Sequence, residues 1–148
     1  MKEPSVRARK LAGPMAASLK DSYRHCKKVT REQAKNFYYG IRLLPAERRD
    51  ALCAIYAFFR YCDDLSDDDQ KGDPARMLSQ WRQALVSQDV ESSPILPAFR
   101  DAVARYGVPQ VYFEELIEGA EMDLTVTRYA RFEDLYGYCY RVASTVGL

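Results

Sequence analysis

The sequence predicts an all-α fold, a helical bundle, on three observations. From Leu19 onward apolar residues recur at helical spacing. No alternating run bounded by Asn-Gly or Asp-Gly argues for a sheet. With 148 residues, 47% of them hydrophobic and 12% aromatic, the chain is long enough for one domain with a sizeable core.

The elements follow from chemical signatures at their ends. Residues 1–17 carry Lys2, Arg7, Arg9 and Lys10 among Pro4, Gly13 and Pro14 with little apolar periodicity, and they read as a mobile basic leader. Thr30-Arg31-Glu32-Gln33 fits a capping box, which predicts a helix over 30–44. Pro45 suits the first turn of the next helix, over 46–66. Asp73-Pro74 supplies a cap and a first-turn proline for a helix over 75–88. Ser93-Pro94 repeats the device for a helix that ends near Gly107, a residue free to take the left-handed conformation that stops a helix. Pro109 opens a segment to Met122, and a last helix begins near Phe132. Leu135, Tyr138, Val142, Thr145 and Val146 hold the helical rhythm to Leu148, so the chain is expected to be truncated within a helix.

Charge excludes some function classes. The 22 Lys and Arg almost balance 21 Asp and Glu, and a net charge of +1 gives no global case for nucleic acid. Cys26, Cys53, Cys62 and Cys139 form no CxxC pair, which fits reduced thiols and a cytoplasmic setting. The longest apolar run, residues 51–59, is too short to span a bilayer. A greasy substrate would still allow peripheral membrane contact.

The most informative stretch runs from Tyr56 to Asp69. At about 100° per residue, Tyr56, Arg60, Asp63 and Asp67 fall within about 60° of one another and form one polar stripe. Leu52, Ile55, Phe59 and Cys62 flank it, as they would at the wall of a pocket. Like charges at i and i+4 repel, and acidic residues near a helix C-terminus oppose the helix dipole. Mg²⁺ would relieve both, because it takes one or two carboxylates and keeps positions for waters and phosphate oxygens. Arg60 offers a planar fork to a diphosphate, and Tyr56 a hydrogen-bond donor. A second reading stands beside this one: Asp67, Asp68 and Asp69 as a solvated helix end. A calcium loop starting at Asp67 is excluded, since Lys71 and Leu78 fall where oxygen ligands are required. Glu114, Glu115, Glu118 and Glu121 read as a solvated face. Lone His25 reads as structural, and Phe37 and Ile41 as core if spacing alone is considered.

Three blocks give the chain a resemblance to a known family. Asn36-Phe37-Tyr38-Tyr39-Gly40-Ile41-Arg42-Leu43-Leu44-Pro45 is similar to the entry helix of squalene/phytoene synthases, the head-to-head prenyl synthases. The segment from Ala54 through Asp67 resembles their first aspartate-rich motif, DxxxD, at Asp63 and Asp67. Tyr138-Cys139-Tyr140-Arg141-Val142-Ala143-Ser144-Thr145-Val146-Gly147 resembles their Tyr-Cys-Tyr helix. The resemblance implies a class I isoprenoid synthase-like bundle, of which residues 18–148 would be the N-terminal part. It implies a transferase that joins two farnesyl or geranylgeranyl diphosphates head to head, with Mg²⁺ or Mn²⁺ as metal and NADPH only if squalene is the product. It also implies residue roles: Asp63 and Asp67 on the metal, Arg60 and Tyr56 on diphosphate oxygens, and Phe37 and Ile41 along the isoprenoid tail. Tyr138 would be a proton acceptor or hydrogen-bond donor near the diphosphate, and Asp123, which matches a recurring acidic position, would be substrate-binding.

The departures bear on activity. The second aspartate-rich motif of the family does not occur in the 148 residues, so this chain is expected to be inactive alone. Asn36 replaces the usual Ser, and Gln33-Ala34 stands where some members carry His-Ser. Ser144 replaces the common Gly, a variant similar to presqualene diphosphate synthases. Two rival readings remain: a head-to-tail chain-elongating synthase, because Asp63-Asp64-Leu65-Ser66-Asp67 also satisfies DDxxD, and a non-catalytic half-domain.

Overall fold

The computed structural model describes residues 18–67, 73–86 and 93–145, with the side chains of Ser66 and Asp67 outside that set. The expected leader, the loop aspartates Asp68 and Asp69, and Val146 to Leu148 lie outside the described residues.

All the elements among the described residues are helical. They are α1 (Leu19–Gln33), α2 (Asn36–Ile41), α3 (Ala46–Asp67), α4 (Pro74–Val86), α5 (Leu96–Tyr106), α6 (Val111–Thr125) and α7 (Phe132–Cys139). The last runs directly into a π-helical turn, Tyr140–Ser144.

Most boundaries follow their signatures. Asp73 caps α4, its Oδ1 accepting from Arg76 N at 3.4 Å. Ser93 Oγ accepts from the amides of Ile95 and Leu96 at 3.2 and 3.4 Å, and the helix proper starts at Leu96, three residues beyond that serine. Gly107 sits at φ 62°, ψ 35° and stops α5, the left-handed conformation a residue without Cβ adopts at little cost.

The capping box at Thr30 is a correction. Thr30 lies inside α1, whose N-cap is Ser18, with Ser18 Oγ accepting from Asp21 N at 3.2 Å. Its hydroxyl is within 2.8 Å of Cys26 O and 3.1 Å of Cys53 O, to which it donates, so Thr30 is a buried tie between α1 and α3. A Thr-x-x-Gln pattern marks a start only if the Thr amide is unpaired, and here the preceding turns occupy it. The chain instead breaks at Ala34-Lys35. Lys35 takes φ 39°, a positive value that a Cβ makes costly, and this turns α2 away from the axis of α1.

The core is centred on Phe58 of α3. Its ring stacks on Phe99 of α5 at 4.1 Å and meets Trp81 of α4 and Phe113 of α6 edge-on at 5.4 and 5.9 Å. Helix α3 is therefore the central pillar, and its opposite face is free to build a site. Polar ties fix the layers: Ser22 Oγ donates to Pro94 O at 2.7 Å and accepts from Ala98 N at 3.0 Å, and Tyr23 donates to Asp101 at 2.6 Å. No helix of the described residues is long and apolar enough to cross a membrane.

Candidate active site

Helix α3 presents Leu52, Ile55, Tyr56, Phe59, Arg60 and Asp63 to a cavity of about 510 Å³. These residues repeat at steps of three and four, so one face of one helix supplies both an apolar floor and a polar rim. Phe37, Ile41 and Leu44, from α2 and the turn after it, close a second side. Leu116 of α6 and Val142 of the π-helical turn add a third. Phe37 is 71% exposed and Ile41 only 8%, so the short helix dips one end into the protein and leaves the other at the cavity mouth. Spacing alone favoured core for both; only Ile41 is buried, and both face the cavity.

At the rim, Arg60 is engaged. Its Nη2 lies 2.6 Å from Asp64 Oδ1, one turn along α3, while its Nε is shielded from solvent with no hydrogen-bond partner among the described residues. A guanidinium with an unused shielded donor is prepared for a further acceptor. Burial raises the Tyr56 phenol above its ordinary value, and Arg60 partly offsets this while Asp63 and Asp64 add to it. Those interactions place Tyr56, Arg60 and Asp63 in one electrostatic neighbourhood, as the predicted stripe requires.

Asp63 is exposed at this rim. Asp67 lies on the same helix one turn on, with its side chain outside the described set. Oxygen donors of this kind fit a hard divalent ion such as Mg²⁺ or Mn²⁺. No group of three or more His, Cys, Asp or Glu gathers among the described residues, which do not include the Asp67 side chain.

Tyr138 and Asp123 form a second cluster just off the cavity. Burial holds the Tyr138 phenol well above the ordinary tyrosine range, and the carboxylate of Asp123 pushes in the same direction. The charges of Tyr129 and Asp63 add smaller contributions, so this cluster feels the rim of the cavity. Neither Tyr138 nor Asp123 lines the cavity itself.

The glutamates of α6 are more than a solvated face. Arg141 Nε lies 3.1 Å from Glu115 and 3.2 Å from Glu118, and Arg82 of α4 pairs with Glu121 at 2.8 Å. The Arg141 pairs hold α6 against the π-helical turn that carries Val142, and the Arg82 pair holds it against α4. Gly119 allows the close approach: a Cβ there would stand 2.6 Å from Val142 Cγ1 and 3.2 Å from Arg141 Cβ. The sequence signal was a glycine in the middle of a helical pattern, which often marks close packing.

The arrangement has known counterparts. The model of one protein family, squalene/phytoene synthase, matches residues 30–148. The chain belongs to the squalene/phytoene synthase family. Among its relatives, the phytoene synthase of Mycobacterium tuberculosis is 42% identical over 130 residues, covering 87% of this chain and 43% of the relative. The 15-cis-phytoene synthase of Synechococcus elongatus is 40% identical over 137 residues, covering 89% and 44%. A crystal structure of a dehydrosqualene synthase in complex with ligand superposes with a TM-score of 0.79 at 26% identity, over 88% of this chain and 46% of that one. The chain thus spans less than half the length of the family members it matches. Its all-α architecture is that of the family's isoprenoid synthase fold.

Proposed function

We propose that this chain, over residues 18–148, is the N-terminal part of an all-α synthase that condenses two prenyl diphosphates head to head. The observation that carries this is the union, on α3, of an apolar cavity wall with a rim of Tyr56, Arg60 and Asp63. An isoprenoid diphosphate is itself a long apolar tail with a multiply charged anionic head, and the cavity has that polarity.

Each residue then has a task set by its position. Phe37, Ile41, Leu52, Ile55 and Phe59 exclude water from the tail, which protects an allylic cation from capture. Arg60 offers its unused Nε to a diphosphate oxygen while Asp64 fixes the far edge of the guanidinium. Tyr56 donates to the same head group. Asp63 and Asp67 would hold Mg²⁺ or Mn²⁺, which supplies electrostatic stabilisation to the departing diphosphate. The remaining carboxylates of that centre would come from sequence beyond the 148 residues, and this chain by itself is expected to be inactive. Tyr138 would take or give a proton as the first carbon–carbon bond forms, a role supported by its electrostatic coupling to Asp63 at the rim.

The named relatives are phytoene synthases, which favours phytoene as the product, and we take geranylgeranyl diphosphate, one of the two substrates the resemblance implies, as the substrate. The experiment incubates the whole gene product with farnesyl or geranylgeranyl diphosphate and Mg²⁺, with and without isopentenyl diphosphate. Phytoene, or the cyclopropyl intermediate that precedes it, from geranylgeranyl diphosphate alone supports the reading. Presqualene diphosphate from farnesyl diphosphate would keep the reaction type and change the substrate. Products that form only when isopentenyl diphosphate is present would replace it with chain elongation.

A further inference from the structure

The mouth of the cavity continues into an exposed apolar surface. Helix α2 and the turn after it carry Phe37, Tyr39 and Leu43, which are 71, 67 and 87% exposed. Single exposed apolar residues are ordinary, but three large ones on one short element form a patch. Hydrogen bonds from Arg42 N to Tyr38 O at 3.0 Å and from Leu43 N to Gly40 O at 3.1 Å continue the helical turn, so Tyr39 and Leu43 stand one turn apart on the same face. Phe37 and Gly40, both exposed, line the cavity, and Tyr39 and Leu43 do not. Charge along this stretch is mostly of one sign. Residues 28–48 hold five basic side chains, Lys28, Arg31, Lys35, Arg42 and Arg48, against two acidic ones, a net +3 where the whole chain carries +1. All five are exposed, and none is in an ion pair among the described residues. The exposed aromatics of α7, by contrast, share their helix with Glu133 and Asp134.

We propose that α2 and the turn after it dock on a bilayer carrying anionic lipid, seating the mouth of the cavity on the membrane. Tyr39 and Leu43 enter the boundary between headgroups and acyl chains, where an aliphatic side chain sheds water and a phenol keeps its hydroxyl wet. Lys35 and Arg42, one on either side of Tyr39 in sequence, reach anionic headgroups with their charged ends while their stems cover apolar surface. Charge complementarity selects this partner over a second copy of the chain, whose identical patch would bring the same basic side chains face to face. The inference deepens the proposed function and rests on it for its purpose, though not for its geometry. A prenyl diphosphate is an amphiphile whose tail resides in the bilayer and whose head stays at the surface. A cavity mouth held there takes the tail from lipid without exposing it to water.

Vesicle binding tests this independently of activity. The whole gene product is sedimented with vesicles of phosphatidylcholine alone and of phosphatidylcholine mixed with phosphatidylglycerol. Wild type should bind the anionic vesicles at least about tenfold more tightly, and salt should weaken that binding. Tyr39→Ser with Leu43→Ser, and separately Lys35→Glu with Arg42→Glu, should each lower the partition coefficient at least about tenfold. Unfolding in denaturant should stay close to wild type in both, because all four side chains are exposed. Val86→Ser, at a valine 73% exposed on α4, should leave binding unchanged. Equal binding to both kinds of vesicle, or wild-type binding by the Tyr39→Ser, Leu43→Ser protein, would overturn the docking surface. Self-association that the same pair of substitutions abolishes, with no vesicle binding, would overturn it in favour of a second copy. Head-to-head product from dispersed substrate with no vesicle binding would overturn the surface and leave the proposed function standing. Vesicle binding that the variants lose, in a protein that makes no such product, would remove the proposed function and leave the surface standing.

Discussion

Arg60 stands between two acceptors, one present and one expected. Asp64 already accepts from it at 2.6 Å, and the partnered edge is held while Nε is left over. Lysine could keep the charge but not both edges. Arg60→Lys should therefore weaken prenyl diphosphate binding by about tenfold to a hundredfold, the loss of one charge-assisted hydrogen bond, and a KM measurement checks it. The stripe of Tyr56, Arg60 and Asp63 was legible in the sequence because helical periodicity fixes which residues share a face. The Arg60–Asp64 pair also stands at i, i+4, but the reading followed the aspartates as ligands and passed over the one that serves as a clamp. Thr30 was misread for a related reason: the same short motif occurs at a helix start and in its interior, and only the burial of its hydroxyl on Cys26 and Cys53 tells the two apart.

Helix starts and stops with a proline or a glycine at the junction were read to within a few residues, as at α3, α4 and α5. These residues act through their own backbone, so no tertiary information is needed. The break between α1 and α2 has no such marker, because Lys35 is an ordinary residue forced to φ 39°. Replacing it with glycine should remove that strain, and Lys35→Gly is expected to stabilise the protein by about 1 kcal/mol despite the entropy glycine adds to the unfolded chain. Chemical denaturation would measure the gain. Gly119→Ala should do the reverse. A methyl 2.6 Å from Val142 Cγ1 forces α6 from the π-helical turn, at a cost of about 1–3 kcal/mol. The same shift would move Val142 at the cavity wall, so tail binding should weaken together with stability.

Across the whole molecule, one helix divides its labour. The face of α3 that carries Phe58 packs against three other helices, and the opposite face carries the cavity. Phe58→Ala should cost about 3–5 kcal/mol in denaturant unfolding, because stacked and edge-on partners would be left around a cavity too enclosed to collapse. Cys26, Cys53 and Cys62 are buried and Cys139 is exposed, and burial pushes the Cys26 thiol up to about 12 and raises the other two. Raised values keep these thiols protonated near neutral pH, so a thiol reagent at pH 8 should modify Cys139 alone until the protein unfolds. The fold class was legible because periodicity and composition act over long windows. The third side of the cavity was not, since Leu116 comes from the packing of α6 on α3 and Val142 from the close approach of the π-helical turn to Gly119. In the proposed reaction the aspartates on α3 would drive the departure of diphosphate from a tail held in the cavity beside them. Diphosphate release by the whole gene product, compared with its Asp63→Ala and Asp67→Ala variants in the presence of Mg²⁺, tests it most directly. The account predicts a loss of at least about a thousandfold in each variant, the several kcal/mol that electrostatic stabilisation of a leaving group supplies. Release that persists at the wild-type rate in both variants would contradict it.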